Sequence, residues 1–121
     1  MSEARGKKEW VIPDGYMSEI SNGVYVSHEA ICVLNTGEKD AAIAITVYFE
    51  DREPMTGFEA VCKAKRTNHV RLDKIRDEKG NAIPAGVPYA LEVISDYPVV
   101  VQHSRLDSTQ SEMALMTTMG Y

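Results

Sequence analysis

Between Ala41 and Glu50 large apolar residues alternate strictly with small, polar or amphipathic ones, placing Ile43, Ile45, Val47 and Phe49 on one face. Only an extended strand has a side-chain period of two, so this segment is a strand with one face buried. The same rhythm runs through most of the chain, rich in Val, Ile and Tyr and broken at short intervals by Gly, Asn, Asp and Pro. It predicts an all-β protein. A short strand is expected at Trp10–Ile12, ended by a Pro13-Asp14-Gly15 turn. Longer strands follow at Val24–Leu34 and Ala41–Glu50, read as a hairpin across Asn35–Asp40. After the turn Asp51–Pro54 come strands at Phe58–Ala64 and Arg66–Leu72, then a polar loop at Asp73–Asn81 kept irregular by Pro84 and Gly86. Two final strands, Val87–Ser95 and Val99–Leu106, are joined at Asp96-Tyr97-Pro98. Seven or eight strands at this spacing predict a two-sheet antiparallel β-sandwich, with a closed barrel as the other solution.

The tail changes period. Asp107–Gln110 has the spacing of a capping box, and Met113, Leu115, Met116 and Met119 fall three and four apart, which predicts a short C-terminal helix or a mobile tail. The expected organisation is a flexible leader at 1–9, a β-sandwich domain at 10–107 and a tail at 108–121.

A chain of 121 residues, 44% hydrophobic, buries roughly two-thirds of its unfolded surface and needs neither metal nor disulfide to fold. Cys32 and Cys62 lie in apolar runs and read as small buried hydrophobes. No apolar run approaches the roughly 20 residues of a membrane-spanning helix, and the first ten residues, MSEARGKKEW, lack the apolar segment of a signal peptide. A cytoplasmic protein without cofactors is expected. The net charge of −5 argues against a surface devoted to nucleic acid or anionic lipid. The charge is uneven: Lys63 to Lys79 carries seven basic residues against three acidic ones, a local +4, which leaves −9 for the rest. That basic stretch is either a solvated face or a docking surface for an acidic protein, since it has no interleaved aromatics for nucleic acid.

Polar side chains at core positions are the anomaly that points to function, because burying them unpaired costs a few kcal/mol. They occur at Ser27-His28-Glu29, at Asn68-His69-Val70-Arg71 and at Gln102-His103-Ser104-Arg105-Leu106-Asp107. In the last, period two puts Val99, Val101, His103 and Arg105 on one face, so an apolar half-strand becomes a His/Arg half-strand. Four readings stay open for these residues: a satisfied polar network, a small polar ligand site, a metal site on His28, His69 and His103, and an acid–base enzyme using Glu29 or Asp107 with His103. The enzyme reading lacks a nucleophile turn and a Gly-rich phosphate loop. The methionine stripe reads as core, subunit contact or a groove-binding helix.

The strings VSHEAICVLNTGEKDA, ITVYFEDREP, KRTNHVRLD and VVVQHSRLDSTQSEMALMTT resemble the sensory rhodopsin transducer family from about Trp10 to Tyr121. The resemblance implies a carbohydrate-binding-like β-sandwich that assembles as a homotetramer and couples a sensory rhodopsin, or another signalling protein, to its output. It also implies a site for a small, sugar-like metabolite. The matching positions are Trp10, Gly15, His28, Glu29, Arg66, His69, Arg71, Gln102, His103, Arg105, Leu106, Asp107, Gln110 and Glu112. The expectation is a non-enzymatic signal-coupling protein with a ligand pocket. In it Arg71 and Arg105 bond ligand oxygens, Glu29 and Asp107 order those arginines or accept ligand hydroxyls, His28 and His103 orient, and Trp10 stacks. His69 and Gln102 complete the set. The alternative expectation is a transducer acting through protein contacts alone, on the basic stretch and the Met-bearing tail.

Overall fold

The structure, a computed structural model, describes residues 3–19, 27–107 and 114–121, with side chains throughout except at 107 and 114–119. Among the described residues there is no helix. There are seven strands: β1 (Lys7–Tyr16), β2 (His28–Asn35), β3 (Ala41–Phe49), β4 (Met55–Cys62), β5 (Arg66–Arg71), β6 (Pro88–Asp107) and β7 (Ala114–Met119). All pairings are antiparallel.

The 20-residue β6 organises the molecule. Its first half pairs with β1 and β3, and β4 lies outside β3. Its second half pairs with β2 and β7, and β5 lies outside β2. β6 thus takes part in both groups of ladders and joins all seven strands into one sheet. The sheet curls until its halves meet. The Asn35 amide of β2 donates to the Cys62 carbonyl of β4 at 3.0 Å, and Asn68 of β5 donates to the Val61 carbonyl at 2.9 Å.

Three expectations are corrected by this spine. Asp96-Tyr97-Pro98 does not turn the chain, because its polar groups are satisfied within an extended backbone. The Ser95 hydroxyl donates to the Tyr97 carbonyl at 2.6 Å and Asp96 accepts the Ala42 amide at 2.8 Å. Pro98, which has no N–H, falls where the ladder to β3 has ended at Ser95 and that to β2 begins at Val100, so no ladder bond is lost. The hairpin expected across Asn35–Asp40 is absent: β2 and β3 lie one after the other along β6, which takes the partner edge each would have offered the other. Asn35 builds the connection instead, donating to the Lys39 carbonyl at 2.8 Å and accepting the Gly37 amide at 3.0 Å.

The third correction concerns the tail. Residues 114–119, expected in a helix, form β7 against the open edge of β6 in register from Asp107↔Ala114 to Gln102↔Met119. An extended segment satisfies that edge, whereas an isolated helix shorter than about 12 residues is marginal. Beyond it the Tyr121 amide donates to the Val11 carbonyl at 2.8 Å. Ser108–Gln110 of the proposed capping box, Met113, and Val24–Val26 of the second expected strand lie outside the described residues. The Pro13-Asp14-Gly15 triplet is also not a strand end. It is an irregularity inside β1 between Ile12↔Leu91 and Gly15↔Tyr89, and β1 itself opens at Lys7, within the expected leader.

The core lies on the inner face of the curl. In β3 Ala41, Ile43, Ile45 and Val47 are buried while Ala42, Ala44 and Tyr48 are exposed. Each buried Val, Ile or Phe contributes roughly 1.5–3 kcal/mol, so a one-residue slip is strongly disfavoured. Leu72 and Ile83, on the segment between β5 and β6, add to the same cluster. Cys62 is a free, buried thiol pushed above its usual pKa by burial, and Cys32 is half-buried and free.

Candidate functional site

The polar anomaly of the sequence resolves into one buried cluster centred on Glu29. Glu29 faces inward from β2 with Ile31 and Val33 and is 0% exposed. Across the ladder Arg105 of β6 stands directly opposite, and its Nε donates to Glu29 Oε2 at 2.5 Å. His103, one inward position along β6 and 4% exposed, places Nε2 3.0 Å from Oε1. An ionised carboxylate only accepts, so His103 carries its proton on Nε2. The Tyr89 hydroxyl, from the far end of β6, donates to Oε1. The Tyr16 amide, turned inward after the irregularity in β1, donates to both oxygens at 3.0 and 3.2 Å.

Burial pushes the Glu29 carboxyl up, but the bonds from His103, Tyr89 and the Tyr16 amide together hold it below the usual carboxylate value. Tyr89 is pushed far up, first by burial and then by the adjacent carboxylate, so it stays a neutral phenol. With four donors on two oxygens, Glu29 has no lone pair directed to a substrate. It acts as a tie between β1, β2 and both ends of β6 rather than as a base.

The remaining expected site residues are not gathered here. Trp10 is 7% exposed and its indole N–H donates to the carbonyls of Lys7 and Val99, both at 3.0 Å, so it fills the core and no stacking face is offered. His28, His69, Arg71 and Gln102 occupy the opposite parity and project from the outer face of the sheet. His69 and Gln102 flank Cys32 in register, beside a shallow groove of about 270 Å³ that includes Leu34, Thr67 and Val100. Arg71 forks onto Asp73 at 2.7 and 2.8 Å. Burial raises the Asp73 carboxyl, and Arg71 with the nearby His28 holds it below its ordinary value. The backbone of Asp107 pairs with Ala114, and its side chain lies outside what is described. The three histidines thus do not converge, and among the described residues no three His, Cys, Asp or Glu side chains are placed to hold a metal.

Two members of the cluster were missed in the sequence. Tyr89 sits in an ordinary alternating strand, and only the glycine opposite it carries a signal: a methyl on Gly15 would lie 2.5 Å from the Tyr89 ring. The Tyr16 amide carries none, because a backbone group shows no residue preference. Beside the cluster a cleft of about 110 Å³ opens between Tyr16–Ser18, Ser27–His28 and Arg105–Leu106.

The outer face of the first half of the sheet is of a different kind. Val61, Ala42, Ala44, Ile94, Val11, Ala90 and Tyr48 adjoin one another in register there, interspersed with Glu9, Glu59, Glu92 and Asp96. Val11, Tyr48, Val61 and Ile94 are large and exposed. No lysine or arginine stands at these positions.

Comparison with known proteins adds the family. Among curated proteins nothing matches the chain. Among solved structures, Thermotoga maritima 1070 is 41% identical over 96% of this chain and 94% of that one, with a TM-score of 0.85. The Anabaena sensory rhodopsin transducer is 36% identical over 84% of this chain and 99% of that one, with a TM-score of 0.76. The family profile described as Anabaena sensory rhodopsin transducer matches residues 5–121, and the chain belongs to that family.

Proposed function

We propose that this chain is a non-enzymatic transducer that works through protein contacts, docking on the cytoplasmic face of a sensory rhodopsin or a similar membrane receptor by the outer face of β1, β3, β4 and the first half of β6. The observation that carries this reading is the chemistry of that face: exposed Val11, Val61 and Ile94 among Glu9, Glu59, Glu92 and Asp96, four carboxylates against the two lysines, Lys7 and Lys8, that open β1. Cytoplasmic loops of membrane proteins carry an excess of Lys and Arg, so their sign complements this face. The basic stretch Lys63–Lys79, the docking surface first expected, has the sign that such a receptor repels.

The resemblance further implies a homotetramer and a cytoplasmic setting, and both belong to the proposal. No helix among the described residues is long and apolar enough to cross a membrane. The test is binding to a sensory rhodopsin in lipid nanodiscs. Wild type binds, the double variant Glu59→Lys/Glu92→Lys loses about tenfold or more in affinity, and Leu34→Lys on the opposite half binds normally. Equal binding by all three overturns the assignment. Light scattering checks the tetramer.

A second reading keeps a sugar-like ligand in the cleft beside Arg105. What favours it is the set of polar side chains there; what weighs against it is size, since about 110 Å³ falls well below the roughly 300 Å³ at which small-molecule pockets begin.

A further inference from the structure

Arg105 presents a half-used guanidinium. Its Nε is committed to Glu29, but among the described residues its two Nη groups have no partner. The side chain is 25% exposed and lines the cleft beside Glu29. A guanidinium offers five N–H groups in one plane, so fixing Nε from one edge aims the others along a known direction at no further ordering cost. The rest of the lining is Ser18, Ser27 and His28, which are polar, with Tyr16, Met17 and Leu106. The described lining contains no carboxylate. Liquid water occupies about 30 Å³ per molecule, so the cleft has room for three or four waters or one small polyatomic group.

We propose that this cleft binds a single small oxyanion, a carboxylate, sulfate or phosphate group, seated on the Nη edge of Arg105, with His28 forming part of the cleft wall. The fork suits paired anionic oxygens, as in other arginine–oxyanion contacts. Glu29 already balances the charge of Arg105, and the Arg71–Asp73 pair beside His28 is neutral as a unit. The site therefore selects by directed N–H bonds and by volume rather than by net charge. It is independent of the docking face, which lies on the other half of the sheet.

The experiment is thermal unfolding of the purified chain in sodium phosphate, sulfate and acetate, each against sodium chloride at matched pH and ionic strength. At least one oxyanion should raise Tm in a saturable way that chloride does not reproduce. Arg105→Lys, which keeps the charge and the reach to Glu29 but not the fork, should weaken that response about tenfold. His28→Ala, judged folded by circular dichroism, should weaken it severalfold and serves as the second variant if Arg105→Lys does not fold. The most effective anion identifies the chemical group of the natural ligand. The same midpoint in all four salts overturns the proposal, as does a wild-type response that both variants retain undiminished.

Discussion

Glu29 is the residue on which the interior depends. It is the only fully buried carboxylate among the described residues, and Arg105, His103, Tyr89 and the Tyr16 amide all end on it. Truncating one partner of such a buried pair leaves the others unpaired, so Glu29→Ala should cost about 3–5 kcal/mol in urea denaturation. Tyr89→Phe removes one bond to a charged acceptor and should cost roughly 1.5–3 kcal/mol. The pH dependence follows from the same contacts. The folded-state value of Glu29 lies below its unfolded value of 4.5, so its contribution is complete above about pH 5 and is lost as pH falls through the folded value. Wild type should therefore lose stability on acidification below pH 5 more steeply than Glu29→Gln, which cannot titrate. Parallel slopes for the two proteins would remove Glu29 from the account. The importance of Glu29, His103 and Arg105 was legible in the sequence, because each breaks an apolar period at an inward position. That they satisfy one another was not, since cross-strand register is set by pairing that local sequence leaves open.

At the scale of elements, the irregular part of β1 positions the cluster. Gly15 lies against the Tyr89 ring, and a methyl there would come within 2.5 Å of it. Gly15→Ala must move either ring or strand, and overpacking of this kind costs about 1–3 kcal/mol. A stabilised Gly15→Ala protein would contradict the packing described. The link between β2 and β3 rests on Asn35, which is buried and makes three bonds, to Lys39, Cys62 and Gly37. At about 1 kcal/mol per bond, Asn35→Ala should cost roughly 3 kcal/mol by denaturant titration. Alternation identified the strands themselves well, down to the buried set Ile43, Ile45 and Val47. It failed where partner choice decides the outcome. Asn35-Thr36-Gly37 has hairpin composition, and Pro98 has breaker composition, yet β6 runs past both and converts the first into a link between ladders and the second into a harmless gap. The tail was misjudged for a related reason. Met113, Met116 and Met119 fit a helical period, but the edge of β6 rewards an extended chain, and no local pattern reports that an edge is open.

For the molecule as a whole, the division of charge acquires a location. The basic stretch from Lys63 to Lys79 spans the turn into β5, β5 itself and the segment beyond it, while the outer face of β1, β3 and β4 carries mainly apolar side chains and carboxylates, with Lys7 and Lys8 at the opening of β1. A contact between that face and a basic receptor surface weakens with salt, because exposed charges beyond about 8–10 Å are screened at physiological ionic strength. The affinity of wild type for receptor nanodiscs should therefore fall between low and high salt, and the slope should flatten in Glu59→Lys/Glu92→Lys. The sequence announced two electrical faces, but not which one carries exposed apolar groups, because that depends on the parity with which each strand enters the sheet.

The most direct measurement is methyl-detected NMR of the isotopically labelled chain, titrated with a sensory rhodopsin in lipid nanodiscs. Selective broadening of Val11, Val61 and Ile94 is the predicted result. Broadening confined to Leu34, Val100 and Leu106, on the other half of the sheet, would contradict the docking face proposed for this protein.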